Sequence, residues 1–179
     1  MALKATIYKA EIQIADMDRD HYATHALTLA RHPSETEERL MLRILAFALH
    51  ADADLEFGRG LSTEDEPDLW LKDATGSIEH WIDLGLPEER RLRRAAGRAQ
   101  RVTLLAYGER AFDVWWRRNE GAVSRLDNLT LWSIPDETAA RLASLANRGM
   151  LLQFTIQDGT VSVGDDERFF ELDLQRVYG

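Results

Sequence analysis

The chain has no cysteine. That excludes disulfides and thiolate metal centres, and it fits a cytoplasmic setting. No apolar run approaches the 18 or so residues a membrane-spanning helix needs. The first residues, MALKATIYKA, hold no apolar core and no cleavage site, so they do not read as a signal peptide. No Gly-x-Ser-x-Gly elbow is present, which argues against a serine hydrolase. No glycine-rich nucleotide fingerprint occurs either, and Gly58-Arg59-Gly60 lacks the remainder of a phosphate loop. Positive charge is also in deficit: 22 Lys and Arg against 31 Asp and Glu give a net charge of −9. A general polyanion binder is therefore not expected, because such affinity comes mainly from neutralising phosphates. A local basic groove remains open.

What is present suits a packed domain. Hydrophobic residues make up 45% of 179 positions and charged residues 30%, with no low-complexity tract. One domain spanning 1–179 is expected. Residues 4–14 alternate, with Thr6, Tyr8, Ala10, Ile12 and Ile14 on one face, and predict a strand with one wet side. Residues 19–31 read as a short helix ended by His32-Pro33. Ser34 with Glu37 reads as a capping box opening a helix over about 35–51, its stripe formed by Met41, Leu42, Leu45, Ala48 and Leu49. Glu37 and Glu38 near its start suit the helix dipole or, alternatively, a metal site.

A strand follows at 55–59 and an acidic loop at 62–66. Two strands, 68–72 and 78–84, are joined by the hairpin signal Asp73-Ala74-Thr75-Gly76-Ser77. Pro87 opens a helix running to about Ala99. A buried strand is expected at 102–107, a helix at 109–119, a strand at 129–134 and a helix from Pro135 to about Asn147. Strands at 150–157 and 160–163 flank an Asp158-Gly159 turn, and a last strand covers 169–174. The alternation from 78 to 156 implies a partly parallel, mixed sheet with helices packed on it, an α/β (α+β) fold.

Chemistry concentrates in residues 66–101. Asp68 heads one hairpin strand and Asp83 sits near the end of the next. Six of the 22 basic residues (Arg90, Arg91, Arg93, Arg94, Arg98 and Arg101) fall in twelve positions just after. Arg90, Arg94 and Arg98 are spaced i, i+4, i+8 on one helical face. Paired carboxylates can share a Mg²⁺ ion, which generates hydroxide and stabilises phosphoryl charge. An arginine row can hold phosphate oxygens. The bland alternative is a solvated face paired with Glu88, Glu89 and the acidic loop. Glu79 shares the side of Trp81 and Asp83, while His80 points away. His21 and His25 have i, i+4 spacing but no third ligand in sight. Trp115, Trp116 and Trp132 read as core and surface residues before base-stacking platforms. The Asn128-Leu129-Thr130 sequon reads as chance.

Residues 2–8 (ALKATIY), 27–42 (LTLARHPSETEERLML), 58–61 (GRGL), Glu66-Pro67, 81–87 (WIDLGLP) and 156–159 (IQDG) resemble the YaeQ family over essentially the whole chain. The resemblance implies a restriction-endonuclease-like mixed sheet flanked by helices. The nuclease-like core would cover about 34–135, with an additional N-terminal strand and C-terminal antiparallel strands. It also implies a variant PD-(D/E)xK motif. Pro67-Asp68 would stand for "PD", Asp83 for the second acid, and Glu38 or Glu37 for the helix acid. Glu38, Asp68 and Asp83 would then hold Mg²⁺. The lysine two positions after Asp83 is replaced by Gly85. In related nucleases the following helix supplies the basic group, which makes Arg90 and Arg94 the catalytic candidates here. Two functions follow. One is a Mg²⁺-dependent nuclease or phosphodiesterase. The other is a non-catalytic protein in gene expression, binding nucleic acid through Arg90, Arg94 and Arg98, or binding a protein partner.

Overall fold

A computed structural model describes residues 3–60 and 64–179. In chain order these form β1 (Thr6–Asp16), β2 (His21–Arg31), α1 (Glu37–Leu49), β3 (Leu55–Phe57), β4 (Leu69–Lys72), β5 (Ile78–Leu84), α2 (Glu89–Arg98), β6 (Ala99–Tyr107), α3 (Glu109–Val123), β7 (Leu129–Ile134), α4 (Asp136–Ala143), β8 (Gly149–Gln157), β9 (Thr160–Gly164), β10 (Phe169–Leu172) and β11 (Gln175–Tyr178). The chain is of the mixed α+β class. It divides into two compact units, Met1–Ala51 with Glu137–Asp173, and Asp52–Asp136 with Leu174–Gly179. Residues 34–51 of the expected 34–135 core belong to the first unit. Positions Ala2 and Leu61 of the family-like segments, and Ser62 and Thr63 of the acidic loop, lie outside the described residues.

The first unit carries a five-stranded sheet in the order β10-β9-β8-β1-β2. The alternation read in β1 is realised, with Tyr8, Ala10, Ile12 and Ile14 buried. The expected helix at 19–31 is instead β2. It pairs antiparallel with β1 over eleven positions, from Thr6↔Arg31 to Asp16↔His21. The physical reason is a period of two: His21, Ala23, His25, Leu27 and Leu29 turn inward while Tyr22, Thr24, Ala26 and Thr28 face out. Three alanines gave the segment a helical composition that strand pairing overrides. Asp158 and Gly159 both take positive φ, the hairpin geometry their types favour. The Asp18 carboxylate accepts both of their N–H groups.

Helix α1 starts later than the capping box implies. Thr36 is its N-cap and accepts the Arg39 N–H at 3.1 Å. The Ser34 hydroxyl pairs with His32 Nδ1 instead. Glu35 is buried as the partner of Arg43, whose Nε and Nη2 donate to its two oxygens at 2.8 Å each. From Leu40 to Ala48 the helix is buried continuously, beyond the single stripe expected of it.

The second unit carries a six-stranded sheet in the order β11-β7-β6-β5-β4-β3. β5, β6 and β7 run parallel, with α2 and α3 as crossovers. Trp81, Leu92, Ala95, Val102, Leu104 and Leu131 centre its core. Leu92 and Ala95 are the buried face of α2, so the helix is fixed by a narrow apolar stripe and its remaining surface is basic. The last expected strand, 169–174, is realised as β10, and a further strand, β11, follows it. β10 pairs with β9, while β11 joins β7 in the other sheet.

Candidate functional site: a carboxylate pair clamped by arginine

The β4–β5 hairpin forms as its turn predicts. Asp73 Oδ1 accepts the N–H groups of Thr75 and Ser77 at 2.8 and 3.0 Å, and Gly76 takes a positive φ. Register then does the positioning. Leu69 opposes Ile82, so Asp68 and Asp83 stand across from each other one step further out. Their side chains therefore share a face with the paired Trp70 and Trp81 rings. Asp68 is buried, and its Oδ2 accepts the Leu84 N–H at 2.8 Å.

Asp83 is 1% exposed. Both of its oxygens are taken by one guanidinium: Arg91 Nε donates to Oδ2 at 2.7 Å and Nη2 to Oδ1 at 2.9 Å. This is the forked pairing that gives arginine its carboxylate specificity. Arg91 also donates to the carbonyls of Glu64 and Glu66, each at 2.8 Å. The hydrogen bond to Asp83 raises the pKa of Arg91 above its ordinary value against the opposing effect of burial, and the charges of Asp83, Asp68 and Glu64 add to the rise. The Arg91 and Arg98 guanidinium carbons lie 5.7 and 5.5 Å from the Trp81 ring centroid, within cation–π range.

Outside this clamp the basic helix is partly paired, as the solvated-face reading expects. Arg93 meets Glu89 at 2.8 Å and Arg94 meets Asp65 at 2.7 Å. Arg98 donates to the Asp65 carbonyl at 3.2 Å. Arg90, Arg91 and Arg94 line a cavity of about 180 Å³ together with Glu64 and Glu88.

Of the residues expected to act together, Asp68 and Asp83 adjoin, and Arg90 and Arg94 share one cavity. Glu38 lies in the first turn of α1, in the other unit, as does Glu37, which accepts the Tyr8 hydroxyl at 3.0 Å. Among the described residues no group of three or more His, Asp or Glu side chains is placed to hold a metal ion. Both oxygens of Asp83 serve Arg91, and Asp68 Oδ2 serves a backbone N–H. Gly85 adds a backbone reason for the absent lysine. β5 ends at Leu84 and Gly85 takes φ +97° while donating to Leu105 O at 2.9 Å. A side chain at 85 does not project as the second residue along the strand would.

The i, i+4, i+8 spacing singles out Arg90 and Arg94, yet it is Arg91 that holds Asp83. The signal was the stripe: residue 91 borders Leu92 and Ala95, so it faces the sheet. His80 is buried, with Nε2 2.8 Å from Thr103 Oγ1. Burial first, and the charge of Arg101 second, lower its pKa to about 4. His21 and His25 do meet, with Nε2 atoms 3.3 Å apart, because they flank Ala23 on one strand face. Trp115 and Trp116 pack on the core. Asn128 Nδ2 donates to the carbonyls of Ala96 and Ala99 at 3.0 Å each, closing the end of α2.

The sheets and this clamp define a class: a mixed α+β protein with a buried carboxylate pair at a strand end and an arginine-rich crossover helix beside it. Comparison with known proteins then assigns the family. Residues 1–174 match the model of the YaeQ protein family, and the chain belongs to it. It is 48% identical over 174 residues to the Uncharacterized protein YaeQ of Escherichia coli (strain K12), covering 97% of this chain and 96% of that one. The Salmonella typhi protein of the same description is 49% identical over the same shares. The crystal structure of YaeQ from Xanthomonas axonopodis pv. citri matches with a TM-score of 0.92 at 48% identity, over 96% of this chain and 97% of that one. That of YaeQ from Pseudomonas syringae matches with a TM-score of 0.93 at 40% identity, over 98% and 97%. Among the described residues no helix is long and apolar enough to cross a membrane.

Proposed function

We propose that this chain binds the phosphate backbone of a nucleic acid on a restriction-endonuclease-like core without cutting it, through Arg90, Arg94 and Arg98. The observation that carries this reading is the Arg91 fork on Asp83. It fills the carboxylate that a PD-(D/E)xK nuclease would give to its metal. With Gly85 at the lysine position, the site keeps phosphate-binding arginines and lacks an activator for water. The net charge of −9 keeps binding local and weak.

The test uses the purified chain with short fluorescent single-stranded and duplex oligonucleotides. Anisotropy reads binding, and gels read cleavage with Mg²⁺ or Mn²⁺ present. Binding without cleavage is expected, and it should survive Asp83→Asn. Replacing Arg90, Arg94 and Arg98 together by Ala should abolish it. Where residual binding persists, the salt slope should fall by about 0.7–0.9 for each lost phosphate contact. Metal-dependent cleavage that disappears in Asp83→Asn would overturn this proposal and restore the Mg²⁺ nuclease with Asp68 and Asp83 as ligands.

A further inference from the structure

Three consecutive residues, 64–66, present four oxygens to one face of α2. Glu64 O and Glu66 O accept from Arg91, Asp65 Oδ1 accepts from Arg94 at 2.7 Å, and Asp65 O accepts from Arg98 at 3.2 Å. These are the contacts a phosphate chain would make with arginines succeeding one another along a helix. The two ends of the contact differ in strength. At Arg91 the side chain is only 27% exposed and its guanidinium also holds buried Asp83. Glu66 is further tied down, its Oε2 accepting the Arg59 N–H at 3.1 Å. At Arg94 the partner is different: the Asp65 side chain is 84% exposed. An ion pair this open to water is among the weakest in proteins.

We propose that residues 64–66 form an autoinhibitory strap in which Asp65 competes with a multi-phosphate ligand for Arg94 and Arg98, while Arg91 keeps the strap attached. This rests on the binding reading above and adds its regulation and ligand class. Arg90, Arg94 and Arg98 succeed one another about every 6 Å along the helix axis. A lone phosphate therefore meets one of them and gains little over Asp65. A backbone of successive phosphates meets all three and displaces Asp65 from Arg94 and Arg98, with the strap still held at Arg91. Removing the Asp65 carboxylate frees Arg94 and leaves the Arg91 clamp and the Arg98 bond to the Asp65 carbonyl in place, so the fold is kept while the charged competitor is lost.

The experiment titrates a fluorescent single-stranded oligonucleotide, at low salt, into the full chain and into Asp65→Ala, Asp65→Glu and the Arg90/Arg94/Arg98 triple variant. Asp65→Ala should tighten binding about two- to fivefold, the range one exposed ion pair allows. Asp65→Glu, which keeps the charge, should stay at the parent affinity. Inorganic phosphate at the oligonucleotide's phosphate concentration should not compete. Equal or weaker binding by Asp65→Ala, with binding still lost in the triple variant, overturns the strap and leaves the binding function standing. Binding by Asp65→Ala alone supports the strap in its strongest form. No binding by either protein overturns both.

Discussion

At the residue scale the decisive group is Arg91, and its loss has a calculable cost. Arg91→Ala leaves the Asp83 charge buried without its partner, which costs about 3 kcal/mol. For a chain of this length the melting temperature should fall by roughly 6–12 °C. Thermal unfolding followed by circular dichroism checks this. Pairing Arg91→Ala with Asp83→Asn should recover part of the loss, because the uncompensated charge is then gone. A second residue-scale effect comes from His80, whose pKa is lowered to about 4. Well above pH 6.5 the imidazole is neutral in both folded and unfolded chains and pH has no effect through it. Below that, the unfolded chain takes up a proton that the buried site refuses. Stability should therefore fall from pH 6.5 towards pH 4, by on the order of 3 kcal/mol at the bottom of that window. Urea unfolding at pH 7 and pH 4.5 tests it: His80→Gln should flatten the difference, and an unchanged slope would remove His80 as the cause. The Asp68–Asp83 pairing and the arginine row are legible in the sequence because hairpin spacing and residue type carry them. The ranking within the row is not, since all six arginines look alike until Leu92 and Ala95 fix which side of α2 meets the sheet.

At the element scale, local signals succeeded where chemistry was local. The Asp73–Ser77 turn, the Asp158-Gly159 turn and the alternation of β1 needed only neighbours along the chain. β2 failed because its evidence is partly distant: its eleven-residue ladder with β1 outweighs a composition that favours a helix. Gly58 is an element-level requirement of the same kind. A Cβ there would lie 1.9 Å from Pro67 O, so the loop before β4 packs backbone to backbone, and no phosphate loop is needed to explain the glycine. Gly85 ends β5 with φ +97°, which bears on the missing lysine. Gly85→Lys supplies the lysine that the proposed PD-(D/E)xK likeness would call for but places it on a left-handed backbone costing about 1–3 kcal/mol. The variant should melt several degrees lower and show no Mg²⁺-dependent cleavage of DNA or RNA. Cleavage gained in this variant would mean that the lysine alone was lacking and that the Arg91 fork is no obstacle.

At the scale of the whole molecule, neither sheet is contiguous in sequence, and this is what a single pass along the chain could not supply. β1 pairs with β8 across more than a hundred residues, and β11 leaves β10 to complete the other sheet. The sequence signal there is one short strand at 169–174, and nothing local says that the chain crosses to the other sheet after Asp173-Leu174. The consequence is a definite role for the last strand. β11 covers the edge of β7, Val177 and Tyr178 pack against the core around Trp81, and the Tyr178 hydroxyl reaches the Leu126 carbonyl at 3.3 Å. Removing residues 175–179 strips these contacts and exposes a β7 edge with unpaired N–H and C=O groups. Two half-buried apolar side chains and their ladder amount to about 2 kcal/mol. The truncated chain should therefore melt about 4–8 °C lower and self-associate more readily on heating, read by scanning calorimetry and light scattering. Hydrogen exchange should rise first in β7 and in the turn after α3 around Leu126, which β11 and Tyr178 touch. If protection there is unchanged after truncation, β11 is an ornament on the sheet and the second unit is complete at Asp136.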